Sequence, residues 1–288
     1  MTYCGRFAPS PTGPLHFGSL VAAVGSWLCA RHADGAWLVR MEDIDPPREV
    51  PGAAAAILAA LPAFGLAPDA PVLFQSTRGA AYDEAFAQLR AAGLVFPCTC
   101  SRSQLAASGG IHRDGICVQD GPADREPAWR LRMPDVEIAF DDARLGPQRE
   151  RLRETVGDFV IRRADGFYSY QLACVVDDAF QGVTDVVRGQ DLLDSTARQI
   201  WLQRCLGLAT PAYRHLPLVR DSSGNKLSKS SRAWPIDPAD PAPTLRRALA
   251  FLGRPLPDRP VGVDELLARA LVDFDPARLP HCSGSSTS

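Results

Sequence analysis

The sequence has almost no lysine. Of its 31 basic side chains 29 are arginine, and the two lysines fall together in Asn225-Lys226-Leu227-Ser228-Lys229-Ser230-Ser231. An ammonium is a compact point charge on a slim stem, whereas a guanidinium is a broad planar fork. A chain that uses arginine everywhere else keeps lysine where one small cation must sit on a phosphate oxygen. The preceding Asp221-Ser222-Ser223-Gly224 would also suit a solvated loop. Confinement of both lysines to one place argues for function instead.

Other absences set further limits. No apolar run approaches membrane-spanning length, so no membrane partner is expected. The first residues lack the charged-then-apolar order of a secretory signal, and the expectation is a soluble cytoplasmic protein. The net charge is −2, so contact with RNA, if made, is local rather than global. No Gly-Lys-Ser/Thr element is present, which excludes a Walker-type loop. No internal repeat is visible, and nothing implies an obligate protein partner. At 288 residues, one large domain carrying an insertion is expected rather than several small ones.

What is present begins with Arg6-Phe7-Ala8-Pro9-Ser10-Pro11-Thr12-Gly13-Pro14-Leu15-His16-Phe17-Gly18-Ser19-Leu20. A strand start leads into a turn stiffened by three prolines, and then into helix. Unpaired N–H groups and the dipole at a helix start make an anion site, here pre-shaped for a mononucleotide. Strand and helix then alternate. Strands are expected at residues 3–8, 36–41 and 72–75, and helices at 20–33, 52–64 and 79–92. This order predicts an α/β fold with a Rossmann-like parallel sheet, whose ligands bind at the carboxyl ends of the strands. Both the opening turn and the acidic Glu42-Asp43-Ile44-Asp45 fall at such ends.

Residues 96–165 lose the period and read as an insertion. It holds Cys98-Thr99-Cys100, then, after eleven intervening residues, His112 and, after four more, Cys117. In a cytoplasmic chain four soft ligands so placed suggest a tetrahedral structural zinc ion rather than disulfides. Beyond it, residues 158–163 and 167–176 read as a hairpin of strands turning at Asp165-Gly166. A strand is expected at 183–188, a helix at 192–205 and a strand at 213–219; helices follow at 242–252 and 263–272. The expected division is a catalytic core of 1–95 and 166–235, the insertion, and a helical extension of 236–288.

Pro9 to Ser19 and Lys226-Leu227-Ser228-Lys229-Ser230 resemble the two signature motifs of class I aminoacyl-tRNA synthetases. Arg6-Phe7-Ala8-Pro9-Ser10-Pro11-Thr12-Gly13, with Arg40-Met41-Glu42-Asp43-Ile44-Asp45, narrows the resemblance to the glutamyl subgroup. The chain ends about sixty residues past the lysine loop, which resembles shortened members without an anticodon-binding domain.

The resemblance implies ATP-dependent activation of L-glutamate, with Mg2+, to glutamyl-adenylate. It further implies transfer of glutamate to the queuosine base in the anticodon of tRNA(Asp). By similarity His16 and Lys229 are the catalytic groups, and His16, Gly18, Ser19, Lys226 and Lys229 bind ATP. The glutamate pocket maps onto Arg6, Phe7, Ala8, Pro9, Ser10, Glu42, Tyr170 and Arg188. Two arginines for two carboxylates and one carboxylate for the ammonium suit that ligand. The zinc ligands map onto Cys98, Cys100, His112 and Cys117. Ser19 stands where the family has a second histidine, Leu227 replaces methionine, and His112 replaces tyrosine. A shortened synthetase that charges the 3′ end of tRNA(Glu), and a non-catalytic RNA-binding derivative, are the competing readings.

Overall fold

A computed structural model describes residues 2–106, 109–113, 115, 117, 126–219 and 236–280. Lys226 and Lys229, with the rest of their loop, lie outside the described residues, as does the tail after Pro280. Among the described residues no helix is long and apolar enough to cross a membrane.

The first half alternates as the sequence predicts. The elements are β1 (Cys4–Phe7), α1 (Phe17–His32), β2 (Ala36–Met41), α2 (Ala53–Ala63), β3 (Leu73–Phe74) and α3 (Gly79–Ala91). Helix α1 is buried almost all round, including Leu20, Val24 and Leu28. Full burial of such leucines contributes about 1.5–3 kcal/mol each. One glycine permits this: a Cβ on Gly25 would meet the Leu216 side chain at 2.6 Å. Where α1 buries polar atoms it pairs them, as Trp37 Nε1 donates to Ser26 Oγ at 2.9 Å.

The middle of the chain contains β4 (Val95–Cys98), α4 (Arg102–Leu105), β5 (Ala128–Leu131), β6 (Glu137–Asp142), β7 (Gly146–Arg151), α5 (Leu152–Thr155) and β8 (Phe159–Arg162). Strands β4, β5 and β8 form a separate antiparallel sheet. It packs with Tyr82, Phe86 and Leu89 of α3 into a second hydrophobic core. Strands β6 and β7 instead join the large sheet, β6 lying parallel to a later strand.

Next come α6 (Tyr170–Phe180), β9 (Asp185–Gly189), α7 (Leu193–Leu206), β10 (Ala212–Leu216), α8 (Pro241–Phe251) and α9 (Val263–Leu271). The large sheet runs β3-β2-β1-β9-β10-β6-β7, all neighbours parallel except β6 and β7. Its order reverses direction between β1 and β9, the place where such sheets open a crevice for ligand. Leu245 and Leu249 of α8 and Leu266 of α9 share one core with α1.

One expected strand is a helix. The hairpin turn exists, with Arg163 N–H donating to the Phe167 carbonyl at 2.8 Å, but pairing stops at the Arg162–Tyr168 bridge. Ser169 then caps α6, its Oγ accepting from Leu172 N at 3.5 Å. Tyrosine and valine gave this stretch a strand-like composition, while Leu172, Ala173 and Val175 recur on a helical face that is buried. Tyr170 is thus the first residue of a helix.

Candidate active site and metal centre

At the crossover between β1 and β9 lies a cleft of about 390 Å³. Its walls bring together Arg6 through Ser10, His16, Gly18, Ser19, Tyr170 and Arg188, drawn from positions far apart in sequence. Phe7 forms part of its floor and stacks on Trp37, with ring centroids 6.4 Å apart. The Pro9 carbonyl accepts from Glu42 N at 2.9 Å and the Ser10 carbonyl from Thr12 N at 2.8 Å, so the turn is fixed to β2 and to itself. Gly13 has φ 141°, a conformation that glycine reaches freely.

His16 caps α1. Its Nδ1 accepts from Ser19 N at 3.3 Å, and Nε2 lies 3.0 Å from Ser19 Oγ. With Nδ1 accepting, Nε2 carries the ring proton and donates to the hydroxyl. Ser19 is therefore the hydrogen-bond partner of His16 at the helix start. A Cβ on Gly18 would come 3.3 Å from the His16 ring, which lies close over the helix start. Pro217, Leu218 and Val219, which lead toward the lysine loop, line the same cleft.

Behind the cleft is a buried charge network. Arg6 donates from Nε to Asp178 Oδ1 at 2.9 Å and from Nη2 to Oδ2 at 3.3 Å. Arg40 donates to the same Oδ1 at 2.7 Å and to Glu42 Oε1 at 3.3 Å. Burial alone would raise the Asp178 carboxyl, but Arg40 and then Arg6 hold it well below the usual carboxylate range. Burial raises Glu42 despite the opposing pull of Arg40. It also pushes the Cys174 thiol up to about 12, with Asp178 adding to the shift. Glu42 thus stands behind the cleft wall, paired with Arg40, and is not among the residues lining it. Asp178 escaped sequence reasoning, and Arg40 entered it only as part of a motif, without a role. The one available signal was a pair of acids, Asp177-Asp178, at the end of an apolar helix.

Arg188 differs from Arg6. Its Nη1 donates to Gln199 Oε1 at 2.7 Å and Tyr170 Oη at 3.4 Å, and Nη2 to Thr196 Oγ1 at 2.8 Å. Its Nε donates to His215 Nε2 at 3.2 Å. All four acceptors are neutral. Among the described residues no carboxylate pairs with this buried cation. Burial pushes the Tyr170 phenol above its ordinary value, so it meets the cleft as a neutral hydroxyl.

The second site lies on the small sheet. One ligand atom from each of Cys98, Cys100, His112 and Cys117 falls within 4.8 Å of the others. The residues fit a metal ion on a structural test. His112 Nδ1 is held by Asp158 Oδ2 at 2.9 Å, while its Nε2 is buried and, among the described residues, has no hydrogen-bond partner. A ring fixed by a carboxylate on one nitrogen and bare on the other is disposed to ligate a metal, with its outer support in place. Asp158 is anchored in turn by Gly115 N and Met133 N, each at 2.8 Å. Arg130 Nε lies 3.1 Å from Cys98 Sγ. Burial, followed by the Cys98 sulfur, pushes the Cys117 thiol up to about 11, a crowding that a cation relieves.

Comparison with known proteins follows the same line. Residues 4–240 match the family described as tRNA synthetases class I (E and Q), catalytic domain. A glutamyl-Q tRNA(Asp) synthetase of Xanthomonas campestris is 55% identical over 98% of this chain and 94% of its own length. One of Dechloromonas aromatica is 56% identical over 93% and 89%, and one of Burkholderia cenocepacia 53% identical over 94% and 95%. The crystal structure of a glutamate-tRNA synthetase from Elizabethkingia anophelis superposes with a TM-score of 0.77 at 26% identity. That match covers 97% of this chain and 67% of the other. With a crevice at the sheet crossover, a capped helix start facing it and these relatives, the chain belongs to the class I tRNA synthetases of the glutamyl and glutaminyl group.

Proposed function

We propose that the protein activates L-glutamate with ATP and transfers it to the queuosine base of tRNA(Asp), working in the cytoplasm. The observation that carries the activation step is Arg188, a buried cation held by neutral acceptors and opening on the cleft. A ligand carboxylate supplies the missing charge. Arg6 offers a second contact: Asp178 takes Nε and Nη2, leaving Nη1 without a protein acceptor among the described residues. Tyr170 provides a neutral hydroxyl, and Glu42 is assigned to the ammonium from behind the cleft wall, where it shares its charge with Arg40. The names of the relatives support the choice of glutamate and of tRNA(Asp).

Attack of the glutamate α-carboxylate on the α-phosphorus of ATP needs no protein nucleophile. It needs alignment and stabilisation of spreading negative charge. The α1 start with His16, Gly18 and Ser19 is suited to the phosphates. Lys226 and Lys229 are assigned to the charge moving toward pyrophosphate, and Mg2+ to the phosphate oxygens. Cys98, Cys100, His112 and Cys117 would hold zinc, whose contribution there is structural cross-linking of the small sheet. The catalytic core is taken as 1–95 and 166–235, with 96–165 as the zinc-bearing insertion and 236–288 as the helical extension. Strands β6 and β7 of that insertion complete the large sheet.

Glutamate-dependent exchange of pyrophosphate into ATP without tRNA tests the first step. Exchange is expected with glutamate and at background level with glutamine. No exchange with either would overturn the reading.

A further inference from the structure

Three side chains from three parts of the fold form one hydrogen-bonded line behind Arg188. His215 on β10 is the register partner of Arg188 on the parallel strand β9, so the two side chains leave the sheet on the same face. Arg188 Nε lies 3.2 Å from His215 Nε2, and His215 Nδ1 lies 2.6 Å from Asp142 Oδ2. A guanidinium only donates, so Nε2 must accept and carries no hydrogen. The ring proton therefore sits on Nδ1 and is donated to Asp142. Thr196 Oγ1 completes the cage, 3.1 Å from the same Nε2 and 2.8 Å from Arg188 Nη2.

Asp142 is itself fixed. Its Oδ1 accepts from the N–H groups of Arg144 at 3.1 Å and Leu145 at 2.9 Å, and its Oδ2 from His215 N at 3.1 Å. Both His215 and Thr196 are wholly buried.

Resting on the glutamate-activating reading above, we propose that Asp142 and His215 are a positioning pair. They set the imidazole tautomer and, through Nε2, the rotation of the Arg188 guanidinium that recognises the ligand carboxylate. A fixed fork is what bidentate recognition requires, and a rotated one loses it. Protonation of His215 would set N–H against N–H at Arg188 and turn the fork away. The groups facing the ring are the Asp142 carboxylate from β6, Arg188 from β9, and Arg144 from the turn after β6, whose Nε donates to the His215 carbonyl. The Tyr213 ring, stacked at 6.2 Å, lies beside it on β10. Two cations and burial oppose protonation, and one carboxylate favours it.

The test compares two amides of similar size. Glutamine at 215 can place an acceptor where Nε2 stands but gives up Asp142. Asparagine keeps the contact with Asp142 but cannot reach Arg188. In glutamate-dependent pyrophosphate exchange, His215→Asn is expected to raise the glutamate KM about tenfold or more, the scale of losing one bond to a charged group. The ATP KM should hold within about twofold, and His215→Gln should recover most of the loss. Wild-type glutamate KM should rise on acidification, with the rise absent in His215→Gln. Equal KM values for the two variants, or ATP and glutamate KM moving together, would show a purely structural residue and overturn the proposal. The 15N spectrum of the histidine rings separates this from the functional reading: wild type must show His215 protonated at Nδ1, and Asp142→Asn must move the proton to Nε2. A proton on Nε2 in wild type overturns the pair even if no exchange is seen.

Discussion

Arg6 and Arg40 meet on a single oxygen, Asp178 Oδ1, at 2.9 and 2.7 Å. Both guanidinium groups and the carboxylate are buried. One anion thus steadies two cations beneath the cleft, and Glu42 takes part of the remaining charge on Arg40. Removing the shared anion leaves both cations uncompensated. Asp178→Ala is expected to lose about 3–5 kcal/mol of stability, the usual cost of breaking a buried pair, as read by urea unfolding. A loss below about 1 kcal/mol, the scale of an exposed pair, would show that the network does not hold the core.

Acid should weaken the fold in two windows. In the folded state Asp178 lies below its ordinary value because Arg40 and Arg6 outweigh burial. The unfolded chain therefore takes up that proton first. This stabilisation is whole above about pH 3.9 and is lost as the pH falls from there toward the folded value. Burial lowers His215 in the folded state, against Asp142. Its contribution is whole above about pH 6.5 and is lost as the pH falls below that. Unfolding free energy measured against pH should show the upper step in wild type and lose it in His215→Gln. Glu42, raised by burial, acts with opposite sign and cancels in that comparison.

Asp158 should matter to metal without touching it. It holds His112 by Nδ1 and leaves Nε2 bare. Asp158→Asn is expected to weaken zinc affinity about 10–100-fold, the scale of outer-sphere losses, measured by competition with a chromophoric chelator. Purified wild-type protein should carry one zinc per chain by elemental analysis. Protein that folds fully and binds no zinc would contradict the site.

Lys229→Ala tests the lysine loop. Pyrophosphate exchange should fall about 10²–10³-fold, as when one preorganised transition-state contact is removed. The thermal unfolding midpoint should stay unchanged. An unaltered exchange rate would remove Lys229 from the mechanism.

Local signals in the sequence announced the alternating first half, the proline-stiffened turn and the Cys-x-Cys cluster, because each lies within a short span; that His16 caps the helix is seen only in the structure. The Arg6–Asp178 pair joins positions 172 apart, and no local pattern reports such a distance. Strand β6 was hidden for another reason. Its inward side carries Ile138 but ends in buried Asp142, a carboxylate that interrupts the apolar period. Tyr170 is expected on a strand because the tyrosine and valine composition outweighs the helical period of Leu172, Ala173 and Val175, whereas it reaches the cleft from helix α6. Arg188 is assigned to the pocket by resemblance, but that its acceptors are all neutral is seen only in the structure.

The central claim is best tested by locating transferred glutamate. Radiolabelled glutamate, ATP and the protein are incubated with tRNA(Asp) bearing queuosine, tRNA(Asp) lacking it, and tRNA(Glu). Nuclease digestion then assigns the label to the anticodon fragment or the 3′ adenosine. Label confined to the anticodon fragment of queuosine-bearing tRNA(Asp) is the predicted result. Label on the 3′ adenosine of tRNA(Glu) would contradict it, and would make the protein a short synthetase of the ordinary kind.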